Sequence, residues 1–142
     1  MKKNKITIKT YLFGPKKSCV NTYPIDWREW VKKHLKTSIL DSLPSQYSII
    51  KSNSKYNEVV NKDKQDILAS DYILINFSKW SCRSAMVAAY GSFNNKKVIM
   101  VVPRSLDIDI WLYNHCYYIC FSFQEAIDYI YNDIIRKNIY ET

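Results

Sequence analysis

Two short apolar runs constrain this chain more than anything else in it. Residues 72–77 read Tyr-Ile-Leu-Ile-Asn-Phe, and residues 97–102 read Lys-Val-Ile-Met-Val-Val. Neither alternates apolar with polar side chains as a half-exposed strand does. Each is the continuous pattern of a strand covered on both faces, which is the signature of a buried parallel strand. Parallel strands need long crossovers, usually helical, so the chain is directed toward an α/β architecture.

The remaining segments supply the other layers. Ile6, Ile8, Thr10 and Leu12 alternate with Thr7, Lys9 and Tyr11, predicting a first strand that stops at Phe13-Gly14-Pro15. A polar loop is expected over 16–25. Asp26 is a natural N-cap for a helix from Trp27, with Trp30, Val31 and Leu35 on one face. A short second strand is expected over 47–50 and a helix near 62–69. Residues 84–93 read as a short helix, small along Ala85, Ala88 and Ala89 so that it can lie close to the sheet. A fifth strand is expected over 117–121. Ser122-Phe-Gln-Glu125 is a capping box, and Ala126, Ile127, Ile130, Ile134 and Ile135 form the apolar stripe of a last helix. The sum is a single domain over 1–142: a flavodoxin-like, Rossmann-like three-layer fold with a five-stranded, mainly parallel sheet. Its chain reversal lies between the first and third strands, where ligands collect.

Composition narrows the function classes. No run reaches the roughly 18 apolar residues needed to cross a bilayer, and the basic start is followed by strand-like alternation rather than by the apolar centre of a signal peptide. A soluble, cytoplasmic protein is expected. The formal net charge is +8. Such a charge favours anionic partners, but lysines outnumber arginines and no aromatic stripe accompanies a basic run, so a nucleic-acid groove is not specifically indicated. Four cysteines, Cys19, Cys82, Cys116 and Cys120, contain no Cys-x-x-Cys pair. Free thiols are expected, with Cys116 and Cys120 on one face of the fifth strand as core residues, and no metal or other cofactor is called for.

Several motifs coincide in order along the chain. Tyr11-Leu12-Phe13-Gly14-Pro15 closes the first strand, and Trp27-Arg28 opens the first helix. Asp63 and Ile67 precede Ser70-Asp71 and the run Ile73-Leu74-Ile75-Asn76. Ser84-Ala85-Met86-Val87-Ala88-Ala89-Tyr90-Gly91 is followed by Lys96-Lys97-Val98-Ile99. Together these resemble the nucleoside 2-deoxyribosyltransferase-like family, across nearly the whole chain. The resemblance implies a nucleoside or nucleotide ligand, a homo-oligomer, and a site containing Tyr11, Asp63 and the loop that opens the 84–93 helix.

The resemblance also implies a nucleophilic Glu in that helix, where a carboxylate attacks the anomeric carbon and stabilises an oxocarbenium-like transition state. The aligned position holds Val87, and the acid six residues earlier is Ser81. Sliding the alignment does not recover an acid, because no Asp or Glu occurs between Asp71 and Asp107. Arg83 takes the place of a glycine. At a helix N-terminus, Arg83 with the hydroxyls of Ser81 and Ser84 would make a set of donors suited to a phosphate.

The expected ligand-binding set is therefore Tyr11, Phe13, Gly14, Pro15, Asp63, Ser78, Trp80, Ser81, Arg83 and Ser84, with Trp80 a stacking face. The expected function is binding of a nucleotide or nucleotide derivative without glycosyl transfer. Two alternatives stay open. One is an active transferase or N-glycosidase using Asp63, with Tyr11, or a carboxylate from 107–109. The other is a protein-interaction module.

Overall fold

The computed structural model describes residues 7–15, 26–42 and 53–140. Five strands form one sheet: β1 (Lys9–Phe13), β2 (Ser38–Asp41), β3 (Tyr72–Asn76), β4 (Lys97–Val101) and β5 (Tyr118–Cys120). The described helices are α1 (Trp27–His34), α2 (Asn53–Leu68), α3 (Cys82–Phe93), α4 (Ile110–His115) and α5 (Phe123–Tyr140). The strand order is β2-β1-β3-β4-β5, and every pairing is parallel. The expected α/β three-layer fold is thus observed, and the chain reverses its winding at β1 and β3.

Side-chain alternation along the strands builds the two cores. Leu12, Tyr72, Leu74, Ile99 and Val101 point to one face and pack under α1 and α5 with Trp27, Val31, Phe123 and Ile130. Tyr11, Phe13, Ile73, Ile75, Val98 and Met100 point to the other face and meet Ile67, Val87, Ala88 and Leu112. All five residues of β3 are buried, as its unbroken apolar run requires.

The helices start where their caps place them. The Asp26 carboxylate accepts the backbone N–H of Arg28 at 3.2 Å, and Ser81 Oγ accepts that of Ser84 at 3.2 Å. The Ser122 hydroxyl accepts from the Glu125 N–H at 3.1 Å, while the Glu125 carboxylate reaches back to the Phe121 N–H at 3.3 Å.

Three expectations are corrected, and one falls outside the described residues. The second strand lies at Ser38–Asp41; the segments 47–50 and 16–25 lie outside the described residues. The helix expected near 62–69 begins at Asn53. The face of α3 that lies on the sheet is Ser84, Val87, Ala88 and Gly91. A Cβ at Gly91 would come within 3.1 Å of Ile73, so this glycine sets how closely α3 approaches. Ala85 is partly buried against the edge of the same core, and Ala89 is partly buried as well. Finally, Cys116 and Cys120 do not share a strand face. Cys116 caps the end of α4, a helix absent from the sequence reading, and packs in one core; Cys120 is buried in the other. Burial pushes both thiols up to about 12, so they stay protonated and inert. Among the described residues, no His, Cys, Asp and Glu cluster could hold a metal.

Candidate functional site

A cavity of about 330 Å³ opens beyond the carboxyl ends of β1 and β2 and the start of α3. That is the crevice expected at a reversal of strand order, and the volume suits a small molecule. Phe13, Gly14 and Pro15 form one wall, and Ser81, Arg83 and Ser84 form the facing wall. Ser42 and Lys79 complete the lining. None of these eight residues is a carboxylate.

The Gly14-Pro15 wall is held from behind. Trp27 Nε1 donates to the Pro15 carbonyl at 2.8 Å, and the Asn76 side-chain amide donates to the same oxygen at 3.2 Å. Arg28 Nη2 donates to the Gly14 carbonyl at 2.6 Å and to Ser42 Oγ at 3.2 Å. The guanidinium is buried, and its Nε donates to Asp41 at 2.8 Å. Lys32 shares the other oxygen of Asp41 at 3.0 Å. The Gly14-Pro15 turn and the Trp27-Arg28 pair are therefore one structural unit, although residues 16–26 separate them in sequence.

The facing wall is the N-terminus of α3. Its first backbone N–H groups carry a partial positive charge, and Arg83 and Lys79 add full charges at the rim. Ser81 caps the helix, so its oxygen already accepts one hydrogen bond. Ser84 Oγ is buried and has no hydrogen-bond partner among the described residues. The donor and acceptor capacity of this hydroxyl is therefore unused among the described residues. Ser42 Oγ accepts from Arg28 and keeps its own proton to donate. Among the described residues, the polar side chains of the lining are thus hydroxyls and cations.

The other expected residues lie apart from this lining. Tyr11 is fully buried, and its hydroxyl donates to Asp63 Oδ1 at 2.8 Å across the β1–α2 interface. Tyr11 and Asp63 are brought together as a pair, beneath the sheet end. Ser78 is half-buried in the loop after β3. Trp80 packs edge-on against Phe77, with centroids 5.8 Å apart, and lines a second groove on the outer side of α3. Val87 is buried in the core one turn into α3. Ser42 carried no signal in the sequence, being a single polar residue after β2 that strand order brings to the cavity; Lys79 was passed over although it lies between Ser78 and Trp80 of the expected set.

No protein-family model matches the chain, and no curated protein matches it. Among solved structures, a 2-deoxyribosyltransferase from the psychrotolerant bacterium Bacillus psychrosaccharolyticus superposes with a TM-score of 0.65. The likeness covers 83% of this chain and 89% of that one, at 15% sequence identity. The two proteins share a fold. At this identity the likeness speaks to architecture, and the chemistry must be argued from the cavity itself.

Proposed function

We propose that this chain binds a phosphorylated nucleotide or nucleotide derivative in the cavity between Gly14 and Arg83, and does not transfer its glycosyl group. The observation that carries the reading is the buried hydroxyl of Ser84, which has no hydrogen-bond partner among the described residues, stands at the N-terminus of a helix and faces a cavity whose described lining holds Arg83 and Lys79 and no carboxylate. Such a lining favours an oxyanion and offers no nucleophile to an anomeric carbon. Sensing, sequestering or delivering a nucleotide all fit a site of this kind. The shared fold with a 2-deoxyribosyltransferase supports a nucleoside moiety as the rest of the ligand.

Calorimetry with a panel of nucleosides and their 5′-phosphates tests this. Phosphorylated ligands should bind, the matching nucleosides should bind at least about tenfold more weakly, and Arg83→Ala should reduce the phosphate preference. Absence of binding by the wild type, or binding indifferent to Arg83→Ala, overturns it.

One observation favours a second reading. Asp63 sits 2.8 Å from the Tyr11 hydroxyl, so an acid positioned by a phenol is present on the β1 side. If Asp63 acts as a displaced catalytic acid, incubation with nucleosides and nucleotides releases free base, and Asp63→Ala abolishes the release. That result would replace binding by catalysis.

A further inference from the structure

A second buried donor group adjoins the cavity at its other end. Arg28 Nη1 is buried and has no hydrogen-bond partner among the described residues. The same guanidinium bonds two residues of the lining, the Gly14 carbonyl at 2.6 Å and Ser42 Oγ at 3.2 Å. Ser42 is itself 2% exposed, so water does not satisfy it. Its oxygen is the acceptor in the bond from Arg28, because a guanidinium only donates. Arg28 is the one side-chain partner of that hydroxyl among the described residues, so its proton is left to be donated.

Charge points the same way. Asp41 is the one carboxylate among the described residues that bonds the Arg28 guanidinium, and it is shared, with Lys32 on its other oxygen at 3.0 Å. Two cations on one carboxylate leave one positive charge in excess behind Ser42. Away from water such a charge is weakly screened and attracts an anion.

This donor set stands apart from the one at Ser84. Ser42 follows β2, Ser84 lies in the helix that follows β3, and β1 runs between those two strands. With neighbouring strands about 4.8 Å apart, the ends of β2 and β3 are separated by on the order of 10 Å. Phe13, Gly14 and Pro15, at the end of β1, line the space between them.

Resting on the nucleotide reading above, we infer that the cavity takes a nucleotide with two separated phosphates, one at the N-terminus of α3 and the second at Ser42. A monophosphate meets one donor set and leaves the other unsatisfied, which costs affinity. A 5′-diphosphate adds charge, but its two phosphorus atoms share a bridging oxygen and do not reach both ends. A nucleoside 3′,5′-bisphosphate carries its phosphates on different sides of the sugar and spans them. Ser42 is then the contact that selects the second phosphate, and Arg28 is a positioning residue that holds the Ser42 oxygen as an acceptor and so aims its proton.

Calorimetry with adenosine and uridine, each as the 5′-monophosphate, the 5′-diphosphate and the 3′,5′-bisphosphate, tests this. The bisphosphate of the preferred base should bind at least about tenfold more tightly than its monophosphate, and the diphosphate should gain about threefold at most. Ser42→Ala should remove the bisphosphate's advantage while leaving the monophosphate within about twofold of the wild type. Circular dichroism shows whether that variant folds. If it does not, Lys32→Gln, at a half-exposed ammonium, takes its place and should cut the advantage by about threefold. Equal affinity for monophosphate and bisphosphate, a diphosphate that matches the bisphosphate, or an advantage that survives the substitution overturns the second phosphate subsite and leaves the first standing. A protein that binds none of these ligands overturns the nucleotide reading itself.

Discussion

Gly14 and Asn76 meet so closely that no other residue fits at position 14. Gly14 has φ +144°, and a Cβ placed there would lie 2.6 Å from the Asn76 carbonyl oxygen and 2.8 Å from its Cβ. The contact joins the ends of β1 and β3, where the cavity wall turns. Gly14→Ala must therefore bring both backbone strain and overlap. We expect a loss of about 2–4 kcal/mol in urea unfolding, together with loss of ligand binding. Substitution without measurable loss of stability would show that the two strand ends can separate.

Arg28 places a planar fork against three oxygens, those of Asp41, Gly14 and Ser42. It also lies 4.6 Å over the Trp27 ring. Lysine keeps the charge but cannot span these acceptors. Arg28→Met should destabilise by roughly 2–4 kcal/mol because Asp41 loses its main buried partner. Arg28→Lys should recover less than half of that. Chemical denaturation of both variants decides the point; full recovery by lysine would reduce the residue to a point charge.

Ser84 gives a test in which stability and binding move in opposite directions. Its hydroxyl is buried without a partner. Removing an unsatisfied polar group is neutral or stabilising. Ser84→Ala should therefore keep or raise the melting temperature while weakening phosphorylated ligands by about tenfold. A drop in melting temperature with unchanged affinity would make the hydroxyl structural.

The acid end of the stability profile follows from Asp133. Lys97 Nζ bonds both of its carboxylate oxygens, at 2.9 and 2.7 Å, and the Tyr72 hydroxyl donates to one of them. Burial pushes this carboxyl up, but the Lys97 and Tyr72 hydrogen bonds and the charges of Lys97 and Lys137 outweigh it and hold it below the usual carboxylate range. On acidification the unfolded chain then takes up a proton at Asp133 before the folded one does. The stabilisation is complete above the ordinary carboxylate range and is lost as pH falls through the depressed folded value. Urea unfolding between pH 7 and pH 3 should show a falling stability that Asp133→Asn makes shallower, while lowering the neutral plateau. An equally steep fall in Asp133→Asn would assign the acid sensitivity elsewhere.

Legibility in the sequence tracked burial. β3 and β4 are covered on both faces, so their runs of Ile, Leu, Val and Met could hardly mean anything else. β2 is an edge strand with only partly buried residues, Ser-Ile-Leu-Asp, and leaves no such pattern. α4 is six residues long and exposes most of its apolar side chains, so no amphipathic stripe marks it. The Ser81 cap and the Ser122 capping box were readable because hydroxyl and backbone are neighbours in sequence. Ser42 was not, because only the β2-β1 pairing brings it to Gly14.

Tyr72 and Lys97 begin β3 and β4, so the polar clamp on Asp133 sits at the rim opposite the cavity. With every strand running the same way, one edge of the protein fastens the last helix while the other opens the cavity. Residues at the cavity edge can be exchanged over generations without loosening that fastening. A lineage built on such a frame is free to abandon one chemistry and adopt another while its architecture persists.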